Sequence, residues 1–257
     1  MAIDLSKMRA KLDALQNKDS GDNKFWRPSD GEQAIRIVPT EDGDPFREFH
    51  FHYNVGQNRG FLCPKRNFGD DCPVCEFASQ LWKEGSANDD DSAKKMAKGL
   101  FARQRFFSPV LVRGEEESGV RAWGYGKMAY ESLLGLVLNP EYGDITDAQS
   151  GTDLVLTYGK PSGASFPQTK LTPRRRSSPL CDEAVGGDER CAELLDSIPD
   201  FDTLFERKTT QDVSAMLDEY LSGDQSAETS SSETEKYAAT TTTTDPVDAA
   251  FDELMGA

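Results

Sequence analysis

Three cysteines and two histidines lie close together between residues 50 and 75, and these residue types can bind a metal ion. Cys72 and Cys75 form a Cys-Pro-Val-Cys motif, a spacing at which two thiolates of one tight turn can face a single ion. Cys63 supplies a third thiolate from upstream. One histidine would complete a tetrahedral Cys₃His set of the kind that holds structural zinc. Because the ligands must lose their protons to bind, we expect metal binding to be coupled to folding.

The histidine of this set is either His52 or His50. The segment 46–53 alternates like a β-strand, so both side chains are expected on the same face. His52 is nearer in sequence to the loop that leads to Cys63, and we therefore place it first, with His50 as the alternative. Buried thiols without a metal and a thioredoxin-like redox pair are the two alternatives to a metal site, although no βαβ pattern surrounds the motif.

The metal is predicted to be structural rather than catalytic. A zinc deaminase requires His-x-Glu together with Pro-Cys-x-x-Cys, and neither occurs in this cluster. The chain also lacks a glycine-rich nucleotide-binding loop, and both of its histidines lie in the cluster. We therefore predict one structural Zn²⁺ with no open coordination position, in a protein that is not an enzyme.

The charge distribution is uneven and leaves room for an anionic ligand. The net charge is −16, but residues 223–257 alone hold eight acidic residues and one lysine. Residues 92–127 carry eight Lys/Arg against three Glu, and residues 157–178 carry five Lys/Arg and no acid. A basic groove needs only such a local concentration of charge. No apolar run approaches the roughly 18 residues of a membrane span, so no membrane partner is expected.

Alternation, turn residues and helical spacing predict a mainly β fold with some helix. The predicted strands cover residues 34–38, 46–53, 109–113, 120–125 and 152–158, and the predicted helices cover 76–84, 128–137 and 212–221. The strands at 109–113 and 120–125 form a hairpin, and the strand at 152–158 begins another. Cys181 and Cys191 have no histidine to match them, and we interpret them as free thiols.

Cations and aromatic residues are interleaved around the hairpin at 109–125. Binders of single strands combine cations that follow the phosphates with rings that stack on bases, at about 1–3 kcal/mol per base. For any single ring, a place in the core is the alternative. The candidate single-stranded DNA (ssDNA) contacts are Lys65, Arg66, Arg103, Arg105, Phe106, Phe107, Arg121, Trp123, Tyr125, Lys127, Lys160, Arg174, Arg175 and Arg176.

The two termini differ from the central part in composition. Residues 1–20 have apolar residues at roughly helical spacing together with Lys7, Arg9 and Lys11. They form either a helix packed on its own domain or a flexible arm that contacts a neighbouring molecule. Residues 223–257 are rich in Ser, Thr, Ala and Glu, and indicate a disordered acidic tail that binds partners. The core is predicted over 21–222, with a small zinc subdomain at about 50–84.

This layout resembles the ssDNA-binding protein family of the T-even bacteriophages and their marine-phage relatives. The resemblance covers about residues 1–180 and the character of the tail. It rests on the cysteine cluster ending in Cys-Pro-Val-Cys-Glu, on the segment Phe106–Val112 (FFSPVLV), and on Gly124–Lys127 (GYGK) with the helix that follows. The order of arm, zinc-bearing core and acidic tail agrees as well.

The resemblance implies an OB-fold core with a small zinc subdomain and cooperative binding of ssDNA without sequence preference. It implies an arm that contacts the adjacent protomer, for which residues 6–11 with Lys7, Arg9 and Lys11 are the nearest equivalent. The family's ligand spacing is closer to that of His50, which keeps both histidines open. The implied role is coating of ssDNA in replication, recombination and repair in the cytoplasm of an infected bacterium, with partners recruited by the tail. The alternative is a zinc-ribbon adaptor of transcription or assembly that acts through protein contacts.

Overall fold

A computed structural model of the protein describes residues 24–164, 166–181 and 187–228. The predicted arm (1–20) and the tail beyond residue 228 therefore lie outside the described residues. Within the described part, no helix has the length and apolar character needed to cross a membrane.

The described chain contains eight strands and six α-helices. The strands are β1 (Phe25–Trp26), β2 (Gly31–Ile37), β3 (Arg47–Val55), β4 (Asn58–Leu62), β5 (Arg103–Val112), β6 (Arg121–Tyr125), β7 (Leu154–Gly159) and β8 (Gln168–Pro173). The helices are α1 (Pro64–Phe68), α2 (Pro73–Ala87), α3 (Asp91–Leu100), α4 (Lys127–Val137), α5 (Gly187–Asp196) and α6 (Thr210–Glu228). The prediction of a mainly β protein with some helix is confirmed.

All strands belong to one sheet, in which β5 is the central strand. The order is β1-β6-β5-β2-β7-β8. Strands β3 and β2 pair with different parts of the same edge of β5, and β4 pairs with β3. Residues 103–107 of β5 pair with β3, and residues 110–112 pair with β2. Pro109 lies where the partner changes, a position at which a missing N–H interrupts no ladder. The helices α1, α2 and α3 are inserted between β4 and β5, so the predicted zinc subdomain branches from the sheet.

Three elements differ from the sequence-based expectation. Residues 58–62 lie in the predicted zinc subdomain, where we predicted no strand after 46–53, and they form β4, which pairs with β3 as a hairpin. The lysine-rich segment before β5 forms helix α3, which begins after the cap residue Asp90. Helix α6 continues to Glu228 and so extends into the segment predicted as tail.

The two faces of the sheet carry separate apolar clusters. One contains Trp26, Phe106, Trp123 and Tyr125, and helix α4 packs on it through Leu133. The cluster on the other side contains Phe51, Tyr53 and Phe107, and is covered by Phe201 and Phe205. Since side chains alternate along a strand, neighbouring residues such as Phe106 and Phe107 belong to opposite faces.

A buried carboxylate holds two arginines at the junction of β2, β5 and β7. Asp153 Oδ1 accepts from Arg36 Nε at 2.9 Å and from Arg113 Nη2 at 3.0 Å. Arg36 is fully buried and also donates to the carbonyl oxygens of Asp147 and Ser178. Gly151 makes room for this guanidinium, because a Cβ there would collide with Arg36 Nη1. Burial favours the neutral acid, but hydrogen bonds and charge from Arg113 and then Arg36 lower the pKa of Asp153.

Replacing Asp153 with asparagine should lower the free energy of unfolding by about 3–5 kcal/mol at pH 7, because two arginines lose their counter-charge. A folded-state pKa below the unfolded value of about 3.9 stabilises the protein above that pH, and this contribution is lost as pH falls through the folded pKa. The difference between wild type and variant should therefore shrink at pH 3. Urea unfolding at both pH values measures it, with the exposed Asp218→Asn as control. An equal difference at both pH values would contradict the assignment.

Cys181 and Cys191 are joined in a disulfide, with Cα atoms 5.5 Å apart. The prediction of free thiols is therefore wrong. The pairing depends on helix α5 packing beside Leu180, where Leu194 enters a cluster with Val38 and Leu111. Nothing in the local sequence around either cysteine indicates this contact.

Candidate metal centre and nucleic-acid cleft

Two Cys-Pro pairs start helices and thereby place three thiols around one point. Cys63 caps α1 with Pro64 at the first helical position, and Cys72 caps α2 with Pro73 in the same place. Proline suits this position because its fixed φ and missing N–H cost the helix nothing there. Cys75 lies in the first turn of α2, three residues after Cys72, a spacing that puts both thiols on the same side of the helix.

The four predicted ligands converge within 4.8 Å of one another. His52 Nε2 lies 3.3 Å from Cys72 Sγ and 3.5 Å from Cys75 Sγ, and the Sγ atoms of Cys63 and Cys75 are 3.5 Å apart. A tetrahedral ion with bonds of about 2.0–2.3 Å separates its ligand atoms by about 3.5 Å. The residues therefore fit a four-coordinate metal ion, and four protein ligands fill the tetrahedral positions of such a site.

The structure selects His52 over His50. His52 is fully buried, and its Nδ1 lies 2.8 Å from the carbonyl oxygen of Leu100. A carbonyl only accepts, so Nδ1 carries the proton and Nε2 is free to bind the ion. His50 lies outside the cluster, with Nε2 at 3.7 Å from Glu48. The Asn67 side chain accepts from the backbone N–H of His50 and donates to the carbonyl oxygens of His50 and Cys63. These hydrogen bonds connect helix α1 and its cap residue Cys63 to β3.

The close approach of the four groups shifts the pKa values of His52, Cys63 and Cys75 strongly. Burial disfavours the charged imidazole, but the neighbouring Cys63 and Cys72 raise the pKa of His52 to about 9. Hydrogen bonds from Cys72 and Cys75 lower the pKa of Cys63, and the sulfurs of Cys63 and Cys72 raise that of Cys75. Protons and a metal ion compete for the same four atoms, so metal binding must release protons.

A second candidate site is a cleft of about 530 Å³ at the end of β6 and the start of α4. It has aromatic walls and three cations, with no acidic residue among the described residues that line it. The aromatic lining residues are Trp26, Trp123, Tyr125, Tyr158 and Phe166, and the cations are Arg27, Arg105 and Lys127. This combination suits a ligand with anionic groups and flat rings.

Three aromatic rings of the cleft, Trp26, Trp123 and Tyr125, pack against one another. Trp26 and Trp123 meet edge to face at 6.2 Å, and Trp123 and Tyr125 are 4.3 Å apart. The Tyr125 hydroxyl bonds with Ser108 at 2.7 Å, and burial raises the pKa of Tyr125. Phe166 is the most accessible ring, with 38% of its surface exposed. The buried rings thus form a rigid floor, and Phe166 lies at the solvent.

Four of the predicted ssDNA contacts line this cleft, whereas Phe106, Phe107 and Arg121 are buried and do not line it. Arg105, Trp123, Tyr125 and Lys127 line it. Phe107 packs against Phe49, Phe51 and Phe205 on the opposite face of the sheet. Phe106 is buried and stacks on Tyr130 at 3.8 Å.

Base stacking therefore does not fit Phe106 or Phe107, and for these two rings the core alternative is correct. Arg121 is buried and paired with Glu115 at 2.5 Å. Its charge is compensated inside the protein, so it does not fit a phosphate contact either.

The other predicted cations lie on the surface outside the cleft. This group is exposed and consists of Lys65, Arg66, Arg103, Lys160, Arg174, Arg175 and Arg176. Residues 174–176 follow the end of β8 at which Pro173 pairs with Leu154, whereas Gln168 at the other end of β8 lines the cleft. At about 3.3 Å per residue this places the arginine run about 17 Å or more from Gln168 along β8. Their contact with DNA stays a prediction.

Sequence reasoning missed Trp26, Arg27, Tyr158 and Phe166 as members of the site. Trp26 and Arg27 precede the first predicted strand, and their register opposite Trp123 arises from the pairing of β1 with β6. An available signal was the Phe-Trp-Arg triplet, a basic residue next to two rings.

The comparison with known protein families supports a DNA ligand. A family model described as gp32 DNA binding protein like matches residues 29–220. A search of curated proteins found no match. The matched range contains the metal centre and most of the cleft.

Proposed function

The chain belongs to the gp32-like DNA-binding protein family, and on this premise we propose that it coats single-stranded DNA without sequence preference. The observation that carries the proposal is the cleft, in which Arg27, Arg105 and Lys127 surround a floor of aromatic rings. Cations of such a groove contact phosphates, and the rings stack on bases. All bases have a flat face, so this mode of binding tolerates any sequence.

The cleft favours a single strand over a duplex for a simple physical reason. The accessible ring of Phe166 can only stack on a base that is not already stacked inside a helix. In a duplex the base faces are covered, and only the phosphates remain for the cations. We therefore expect the duplex to keep the electrostatic part of binding and to lose the stacking part.

A tryptophan-fluorescence titration tests this function directly. Trp26 and Trp123 line the cleft, whereas the third tryptophan, Trp82, packs near Phe101 in the zinc subdomain. A Trp82→Phe variant therefore reports mainly on the cleft. Quenching by an unstructured single strand, with much weaker quenching by duplex at the same salt concentration, is expected. Equal quenching by single-stranded and duplex DNA would instead favour the alternative function, that of an adaptor that acts through protein contacts.

The affinity for ssDNA should fall steeply with salt. Each neutralised phosphate contributes about −0.7 to the slope of log K against log salt concentration, so the three cations of the cleft predict at least about −2. Arg27→Ala should reduce the magnitude of the slope by about 0.7. Arg190→Ala serves as control because Arg190 pairs with Glu193 outside the cleft. A slope near zero would contradict phosphate contact.

We propose Zn²⁺ as the ion of the metal centre, with a structural role. Three thiolates and one imidazole are a donor set typical of zinc, and His52, Cys63, Cys72 and Cys75 approach to suitable distances. Bound zinc would supply folding free energy by joining β3, α1 and α2. These side chains would hold the ion, and no step of DNA binding passes through it.

The wider role we propose is that of a phage protein acting in replication, recombination and repair in the cytoplasm of an infected bacterium. Coating would remove secondary structure from the strand and protect it. Lys7, Arg9 and Lys11 of the segment 1–20 would contact the neighbouring protomer along the DNA. The acidic segment 223–257 would recruit replication and recombination proteins. A binding function of this kind requires no catalytic residue.

A further inference from the structure

Helix α6 packs on the part of the zinc subdomain that carries the metal ligands. Val213 and Leu217 are buried in one apolar cluster with Cys63, Cys72 and Val74. Val213 is fully buried, and Leu217 is 8% exposed. Side chains of α6 thus form part of the apolar core that surrounds Cys63 and Cys72.

The β3–β4 turn also approaches α6 closely. Gly56 has a φ of +63°, and a Cβ there would lie 3.0 Å from the carbonyl oxygen of Met216, so both the backbone conformation and the close approach favour glycine. Asn58 also donates to the sulfur of Met216 at 3.6 Å. Since β3 carries His52, α6 contacts both segments from which the metal ligands come.

The start of α6 is tied to the two residues before Cys72. Thr210 Oγ1 donates to the carbonyl oxygen of Asp71 at 3.1 Å. Arg207 pairs with Asp70 at 2.5 Å and lies 4.3 Å above the ring of Phe68. These contacts hold the loop between α1 and α2, which must keep one conformation for Cys63 and Cys72 to face the same ion.

We propose that the metal centre and helix α6 are thermodynamically coupled, so that a bound ion holds α6 in place and a docked α6 strengthens metal binding. The proposal rests on the proposed zinc site. Each partner stabilises the same conformation of residues 63–75, and coupling between two binding events is reciprocal by necessity.

Zinc affinity in the full-length protein provides the first test. The double variant Val213→Ala, Leu217→Ala removes apolar contacts with the cluster, and it should weaken zinc binding by about 10-fold or more in a chelator competition. The matched control is Gln211→Ala, Asp218→Ala, which changes two exposed residues of the same helix and should leave the affinity unchanged. Arg207→Ala, a surface variant that leaves the core intact, should weaken zinc binding in the same direction by a smaller factor.

Amide hydrogen exchange of the wild-type protein provides the reciprocal test. Removal of zinc by a chelator should accelerate exchange in residues 210–222 about 10-fold or more. The strands β2 and β7 belong to the distant part of the sheet and serve as internal reference, because their exchange should stay constant.

Three results would overturn the proposal. One is unchanged zinc affinity in both the double variant and Arg207→Ala. Another is faster exchange in residues 63–75 without any change in 210–222. A protein that binds no zinc would reject the metal centre and the coupling together, while the ssDNA titration would still decide the DNA-binding function. If the double variant does not fold, Arg207→Ala and the exchange experiment remain decisive.

Discussion

Replacing His52 with alanine should lower the zinc content of the purified protein from about one equivalent to less than about half an equivalent per chain. Replacing His50 with alanine should leave the content unchanged. The two histidines are two residues apart on β3, yet only His52 lies with Nε2 3.3 Å from Cys72 Sγ. The pair of variants therefore separates the ligand from a neighbour of the same chemistry.

The effect of His52→Ala is expected to be large because the whole subdomain is built around the ligands. Cys63, Cys72 and Val74 are fully buried in a cluster that also includes residues of β3 and α6. Structural zinc contributes on the order of 10–16 kcal/mol of binding free energy to the folding of small zinc-finger peptides. The loss of one ligand should remove a substantial part of such a contribution. Zinc analysis after gel filtration, together with thermal unfolding, measures both losses.

The outcome that contradicts this assignment is specific. A His52→Ala protein that retains one equivalent of zinc, with His50→Ala losing it, would transfer the ligand role to His50. Loss of zinc in both variants would indicate that β3 itself, rather than one imidazole, is sensitive to substitution. His50→Gln, which keeps a polar side chain of similar size, would then distinguish a lost ligand from a disturbed strand.

Replacing Phe166 with alanine should weaken binding of an unstructured single strand by about 5- to 150-fold, which corresponds to about 1–3 kcal/mol for one stacked base. Phe166 lines the cleft and is 38% exposed, so its ring is the one most accessible to a base. Its partial exposure also means that truncation should cost little stability. Fluorescence anisotropy with a labelled oligonucleotide measures the change.

The chain offers a closely matched control in Phe68. It is 39% exposed, but it lies in α1 and not among the residues that line the cleft. Phe68→Ala should bind ssDNA as the wild type does. If both variants bind normally, Phe166 does not stack on a base, and if both bind weakly, the strand extends beyond the cleft toward the zinc subdomain.

The metal centre could be predicted from the sequence because its information is local and chemical. The spacing of Cys72 and Cys75 places both thiols on the first turn of one helix, and residue type alone makes thiols and imidazoles the metal ligands. The choice between His52 and His50 could not be made in this way. Both lie on the same face of β3, and the decisive contact is made by the carbonyl of Leu100, almost fifty residues later in the chain.

The strands and helices with clear periodicity were predicted because alternation and helical spacing reflect burial on one face. The β6 strand and the helices α2 and α4 are examples. Helix α3 was not predicted because its three lysines were considered only as part of the basic segment 92–127. Strand β4 was missed because its short sequence, NRGFL, shows no alternation and becomes a strand only by pairing with β3.

The sequence by itself determined which residues could bind a metal and that cations and aromatic rings concentrate around β5 and β6. Only the tertiary structure decided which of them share a site. Trp26, Trp123 and Phe166 come from three distant segments and meet through strand pairing and packing, whereas the adjacent Phe106 and Phe107 are both committed to the core. The physical reason is that alternation assigns side chains to two faces of a strand, but the rest of the fold decides which face is covered and where a cleft remains.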